Sequence, residues 1–218
     1  MGNLGKLVYT ESIVGGGKTK FCTEIGMRLN YRILKEPVKS NPYLTLFYGD
    51  MEAYAYKMQI YLLFRRIKLQ QLASSECLLT DQGFDGAMID RSLFGDAVFE
   101  EMLHDDGLIN DLDHEAYVTA LECLKLLTYP PVILVFLDVR PEIAFKRIKE
   151  RNRDAEKTMS LEYLVNLSKY YKKFIKSAKD GKYPWSHAVQ VRHMDWNPAM
   201  VKEEEWDAVA ANLREEWD

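Results

Sequence analysis

The stretch KLVYTESIVGGGKTKFCTEIGMRL, residues 6–29, decides the fold. Leu7 to Thr10 is a short apolar run of the kind that forms a buried strand. Gly15, Gly16 and Gly17 then make a flexible turn, and Lys18-Thr19 open a helix that runs to about Leu29. Strand, glycine turn, Lys-Thr and helix, in that order, are the context of a phosphate-binding P-loop. Loop amides and the helix N-terminus present partial positive charge to an anion. Lys18 would reach the terminal phosphates and Thr19 would ligate magnesium. The usual pattern is GxxxxGK[ST], and Ser12 stands where it has its first glycine. That serine adds a Cβ where the backbone is ordinarily tight. An ordinary glycine-rich turn is the other reading of these residues.

Outward from this segment, strand-like and helix-like patterns alternate. Arg32-Ile33-Leu34 reads as a second strand, ended by Glu36-Pro37, because proline lacks a backbone donor. Ser40-Asn41-Pro42 marks a turn or a helix entry. Tyr54 to Leu72 is a long helical pattern without Gly or Pro, apolar on several faces, as in a packed helix. Ala87 to Asp90 reads as a third strand and Asp113 to Leu127 as a helix. Pro130-Pro131 stops that helix, and VILVFLDV after it is a strand buried on both faces. Pro141 sits at a first helical position, Leu161 to Ala178 is helical, Ala188 to Met194 is the last strand, and a terminal helix starts near Val201. The alternation predicts an α/β fold with a parallel sheet, one domain over residues 1–218 without repeat or linker.

Composition narrows the function classes. The 218 residues are 47% hydrophobic and 28% charged, which excludes a disordered or low-complexity chain. With Lys+Arg 29 against Asp+Glu 33, the net charge of -4 gives no broad basic footprint for nucleic acid. The N-terminal residues lack a signal-peptide pattern. Gly2 invites myristoylation, but position 6 is Lys. The longest apolar run, Val132 to Leu137, is too short to cross a bilayer. Cys22, Cys77 and Cys123 are widely spaced and read as buried reduced thiols of a cytoplasmic protein, with no metal site among them.

Three further groups carry chemistry. Glu36 ends the second strand and Asp90-Arg91-Ser92 the third, where functional residues of open α/β sheets gather. Arg147, Arg151 and Arg153 fall within seven residues. Alone, Glu36-Pro37 is a solvated turn, Asp90-Arg91-Ser92 a helix cap with a surface ion pair, and the arginines an exposed helix face. Together with the P-loop they resemble parts of one phosphate-handling site.

The sequence resembles the deoxynucleoside kinase family from about Leu7 to about Asn197. The residues that carry the resemblance are SIVGGGKT (12–19), KEPVKSNPYL (35–44), FYGDMEAYAYKMQ (47–59), RRIKLQ (65–70), DRSLFGDAVF (90–99), RIKERNRDAEKTMSLEYL (147–164) and MDWN (194–197), at agreeing spacing. The EPVxxNPYL wording leans toward the bacterial and phage-type deoxyadenosine/deoxyguanosine branch. The resemblance implies a three-layer P-loop kinase fold, a five-stranded parallel sheet flanked by helices, with a mobile arginine-rich lid at about residues 147–158. It implies transfer of the γ-phosphoryl of ATP to the 5′-hydroxyl of a deoxynucleoside, with Mg2+, in a cytoplasmic homodimer packed through long helices, without nucleic acid or membrane.

Roles follow position by position from that resemblance. Glu36 matches the general base, Arg91 the arginine beside the 5′-hydroxyl and the transferring phosphoryl, and Asp90 the acidic magnesium ligand. Tyr48 and Glu156 match the pair that binds the sugar 3′-hydroxyl. Gln59 and Asp96, with Arg66 beside Asp96, match the groups that read the base edge, and Phe99 the aromatic that stacks on it. Arg147, Arg151 and Arg153 match the lid arginines, and Asp195 and Trp196 the loop near the donor base. Asn41 stands where some eukaryotic members carry tryptophan on the pocket wall.

The chemistry suits these residue types. Phosphoryl transfer is mostly positioning and charge neutralisation, and an arginine fork grips phosphate oxygens bidentately. A glutamate is ionised at neutral pH and so is ready to accept the hydroxyl proton. The Gln59 amide both donates and accepts, which with the Asp96–Arg66 pair suits adenine, guanine or cytosine better than thymine. A purine deoxynucleoside is the expected substrate, with deoxycytidine second. A nucleoside monophosphate kinase of the thymidylate type needs more cations around its acceptor, whereas Glu36 and Tyr48 suit a hydroxyl. The set Lys18, Glu36, Asp90 and Arg91 argues against a non-catalytic nucleotide-binding module. The acidic C-terminal helix, about residues 201–218, carries Trp206, Leu213 and Trp217, which dock on the body or a partner, or lie on a solvated amphipathic helix.

Overall fold

A computed structural model of the chain describes residues 5–35, 41–78, 83–126, 133–182, 190–196 and 202–217. Five strands form one parallel sheet: β1 (Lys6–Glu11), β2 (Tyr31–Leu34), β3 (Gly86–Asp90), β4 (Ile133–Asp138) and β5 (Gln190–Asp195). Their order is β2-β3-β1-β4-β5. Leu7, Val8 and Tyr9 of central β1 are fully buried, each contributing about 1.5–3 kcal/mol of transfer free energy. The register aligns Thr10 of β1 with Asp90 of β3 and Glu11 with Phe136 of β4. The strands' C-terminal ends therefore form one rim.

The helices are α1 (Lys18–Arg28), α2 (Leu44–Gly49), α3 (Met51–Leu78), α4 (Leu93–Asp105), α5 (Asp111–Lys125), α6 (Pro141–Arg151), α7 (Leu161–Lys179) and α8 (Trp206–Trp217). The step from β1 to β2 runs one way along the sheet and every later step runs back. Right-handed crossovers then put α1 on one face and the helices between later strands on the other. The packing agrees: α8 lies against α1, while α3, α4 and α7 pack in succession. Ser92, Asn110 and Ser160 cap α4, α5 and α7 with their side-chain oxygens, each cap contributing about 1 kcal/mol. Among the described residues no helix is long and apolar enough to cross a membrane.

The expected sheet and its parallel sense are present. Several boundaries differ. α3 extends the expected Tyr54–Leu72 helix at both ends, because nothing in the flanking sequence breaks it. α2 and α4 had no clear periodic signal, since α4 is buried on most sides and carries Gly95 in its first turn. The last strand lies at Gln190–Asp195, and Ala188 is outside the described residues. The tail helix begins at Trp206 after a 3-10 turn at Glu203–Glu205. It docks on the body: Trp206 is fully buried and meets the Phe21 ring, Trp217 stacks on Tyr31, and Asp207 pairs with Arg28. Cys22 is buried as expected, but Cys123 is exposed on the outer side of α5.

Candidate active site

A cavity of about 860 Å³ opens at the C-terminal rim of the sheet, where ligands of open α/β folds bind. Its floor is the glycine loop. Gly15 and Gly17 adopt φ of +78° and +91°, a region open to glycine. Gly15 also lies on α6: a Cβ there would sit 2.6 Å from the Ala144 carbonyl oxygen. Gly17 precedes α1, so the helix N-terminus points at the cavity, which Lys18 and Thr19 line. Ser12 fits the loop without strain. Positive φ at non-glycine residues is confined, among the described residues, to Asn30, Arg91 and Asn152. The Ser12 hydroxyl instead donates to the Leu137 carbonyl at 2.7 Å, tying the loop to β4.

Beside the loop, Thr19 Oγ1 donates to Asp90 Oδ2 at 2.5 Å. Asp90 is buried, and its Oδ1 has no hydrogen-bond partner among the described residues. A buried carboxylate oxygen without a partner costs free energy in the absence of a cation or donor. One hydroxyl and one carboxylate next to a phosphate cradle fit magnesium, which prefers few protein oxygens plus substrate phosphates.

Just past the end of β3, Arg91 takes a left-handed φ of +73°, a conformation that costs about 1–3 kcal/mol in a residue with a Cβ. Its N–H still bonds the Thr10 carbonyl at 3.1 Å. Its guanidinium lies 4.6 Å from the Phe99 ring centroid. Both residues line the cavity. The serine of the same motif caps α4, so the helix-cap reading of Asp90-Arg91-Ser92 holds for Ser92 while its two neighbours face the cavity.

The far wall comes mainly from α3. Gln59, Leu62 and Arg66 recur at helical spacing and so share one side. Arg66 and Asp96, both buried, form an ion pair. Asp96 sits in the first turn of α4, where the helix dipole favours its charge. Gln59 is fully buried, and neither its amide nitrogen nor its amide oxygen has a hydrogen-bond partner among the described residues.

The third side is the segment after β4. Arg147 and Arg151 face the cavity from α6, and partial burial holds the Arg147 guanidinium below its ordinary pKa, with Glu150 opposing the shift. Asn152 closes α6 at φ +47°, and a 3-10 turn at Asp154–Glu156 folds the chain back. Glu156 is thereby brought to Arg151, whose Nε and Nη2 donate to its Oε2 at 2.9 and 2.6 Å, with Arg153 at 3.6 Å from Oε1. Thr158 Oγ1 donates to the carbonyl of Tyr48, so α2 and this segment meet at the mouth.

Most of the residues singled out in the sequence thus converge on one cavity. Glu36 lies outside the described residues; Lys35 and Asn41, the described residues on either side of that segment, both line the cavity. Asp195 and Trp196 do not line it. Asp195 is exposed on β5, and Trp196 is buried against Phe21 and Trp206 at 5.2 and 5.5 Å between rings. Sequence reasoning missed Glu11 and Tyr171, both fully buried next to Arg91. A carboxylate ending an apolar strand was a usable signal for Glu11. Tyr171 gave none, because it falls on the apolar stripe of α7 with Leu164, Leu167 and Phe174.

The sequence model of the deoxynucleoside kinase family matches residues 8–215. A deoxyadenosine kinase of Dictyostelium discoideum is 37% identical over 171 residues, covering 78% of this chain and 67% of that protein. A deoxyguanosine kinase of the same organism is 34% identical over 195 residues, covering 89% of this chain and 65% of that protein. The chain thus spans about two thirds of the length of these relatives. The structure of deoxyadenosine kinase from M. mycoides with bound dCTP superposes with a TM-score of 0.76 at 26% identity, covering 96% of this chain and 99% of that one.

Proposed function

The chain belongs to the deoxynucleoside kinase family, and from that premise we propose that it transfers the γ-phosphoryl of ATP to the 5′-hydroxyl of a purine deoxynucleoside. The observation that carries the acceptor half is Gln59. Its buried amide, without a partner on either atom, lines the cavity that also holds the glycine loop. Leaving such groups unpaired costs about 1–3 kcal/mol each. A base edge that offers one acceptor and one donor recovers that cost. Adenine offers this pattern, and the Arg66–Asp96 pair beside Gln59 extends it to guanine and cytosine. The relatives named for deoxyadenosine and deoxyguanosine support a purine first.

In this reading Phe99 stacks on the base, and Tyr48 and Glu156 hold the sugar 3′-hydroxyl. Glu36 takes the proton from the 5′-hydroxyl as that oxygen attacks phosphorus. Lys18, the loop amides, Arg91 and the lid arginines Arg147, Arg151 and Arg153 stabilise the charge on the transferring group in a water-poor site. Thr19 and Asp90 would hold Mg2+, which when bound neutralises phosphate charge. Arg151 is paired with Glu156 in this structure, so an arriving triphosphate and the carboxylate compete for one guanidinium. A mobile lid over residues 147–158 is consistent with that exchange. The donor-base role of Asp195 and Trp196 rests on sequence position alone. The large apolar side chains of Phe64 and Leu72, exposed on α3, support a homodimer packed through that helix.

Gln59→Leu tests the acceptor half. Removing the amide is expected to lower kcat/KM for deoxyadenosine about tenfold, the loss of one to two hydrogen bonds. The same variant is expected to unfold at a higher temperature without ligand, since two unpaired buried groups are gone. Unchanged kcat/KM for all four deoxynucleosides would remove Gln59 from base recognition.

A further inference from the structure

Arg91 is held from behind by two side chains that do not line the cavity. Glu11, the last residue of β1, is fully buried. Its Oε1 accepts from the Ser92 backbone N–H at 2.7 Å and from the Ser92 hydroxyl at 2.6 Å. Its Oε2 accepts from the Tyr171 hydroxyl at 3.0 Å and lies 3.9 Å from Arg91 Nη1. The same Nη1 donates to the Tyr171 hydroxyl. The phenol therefore bridges cation and carboxylate, accepting from one and donating to the other. Gly95 makes room for this arrangement: a Cβ there would lie 2.2 Å from Glu11 Oε2. Below the guanidinium lies the Phe99 ring, itself edge-on to Tyr171.

We propose that Glu11 and Tyr171 are positioning residues that aim the Arg91 guanidinium at the transferring phosphoryl. The inference rests on the reading of Arg91 given above. Its physical content is preorganisation. A long, flexible cation on a left-handed backbone is locked by a counter-charge, a bridging hydroxyl and a ring, so little reorganisation is needed as charge develops. Burial pushes the Tyr171 phenol well above its usual pKa; Arg91 opposes that shift and Glu11 reinforces it. A phenol is already protonated at neutral pH at its ordinary value, so the hydroxyl remains a donor there. Neither Glu11 nor Tyr171 lines the cavity, so each acts through Arg91.

Tyr171→Phe keeps the ring and removes only the bridge. Its kcat is expected to fall five- to tenfold, with KM for deoxynucleoside and for ATP changed less than twofold. In an Arg91→Ala background the same substitution is expected to cost less than twofold more, because nothing is left to aim. Arg91→Met, which removes the cation and keeps an apolar stem, supplies a second background should the alanine chain fail to fold, and Glu11→Gln is expected to follow the same pattern. An equal loss from Tyr171→Phe with and without Arg91, or no loss in the parent enzyme, would overturn the proposal and leave Arg91 in place. Arg91→Ala with turnover within twofold of the parent would overturn the reading of Arg91 itself, and the proposal with it.

Discussion

Turnover of the Glu36→Gln variant is expected to fall at least about 100-fold while the deoxynucleoside still binds, because a general base contributes about 10²–10⁴-fold. Glutamine keeps the shape of the side chain and its capacity to accept a hydrogen bond. It cannot take a proton. The lost term therefore belongs to the transition state, and kcat carries it while the affinity for nucleoside changes little. Isothermal titration of the variant with deoxyadenosine, next to its steady-state rate, separates the two. Near-normal turnover would remove Glu36 from proton transfer. Loss of binding equal to the loss of rate would make it a substrate-holding group instead.

Gly16→Ala is expected to lower kcat/KM for ATP about 100-fold, the scale of an ångström-sized displacement of groups around a reacting centre. The added Cβ would lie 1.9 Å from Ser12 Oγ, 2.7 Å from Ser12 Cβ and 3.0 Å from the Ile13 carbonyl. Ser12 cannot swing aside without giving up its bond to Leu137. The loop must then shift as backbone, and its amides lose their aim at phosphate. Ser12→Gly in the same chain removes the two nearest atoms and restores the usual glycine of the loop pattern. The double variant is expected to regain at least about tenfold of the lost kcat/KM, with the Ile13 contact accounting for the remainder. A Gly16→Ala enzyme with unchanged ATP kinetics would show that the loop does not hold the donor as described.

Much of this arrangement was legible in the sequence because its signals are local. VILVFLDV reads as a strand buried on both faces, and its residues Ile133–Asp138 lie in the sheet between β1 and β5. The order strand, glycines, Lys-Thr, helix announced the glycine loop on the cavity floor, and Pro141 marked the start of α6. What escaped was long-range or disguised. Ser12 read as a flaw in the loop because its compensating partner, Leu137, lies 125 residues away in sequence. Gln59 was found through resemblance, since an amide on an apolar helix carries no signal of its cavity. Tyr171 hid within a core stripe. The packing of the Trp196 indole against Phe21 and Trp206 was likewise not legible, and it leaves the donor-base role as what the resemblance implies. The burial of α8 was undecidable from amphipathic spacing, which is the same for a docked helix and a solvated one.

The central claim is a phosphoryl group moved from ATP to a sugar hydroxyl, and the most direct test follows the label. The enzyme would be incubated with γ-labelled ATP, magnesium and each of the four deoxynucleosides in turn, and the products separated and counted. The account predicts labelled deoxynucleoside 5′-monophosphate and an equal amount of ADP, fastest with deoxyadenosine or deoxyguanosine, slower with deoxycytidine and slowest with thymidine. Label that enters only when a nucleoside monophosphate is supplied, or ADP that forms only with thymidine, would contradict it.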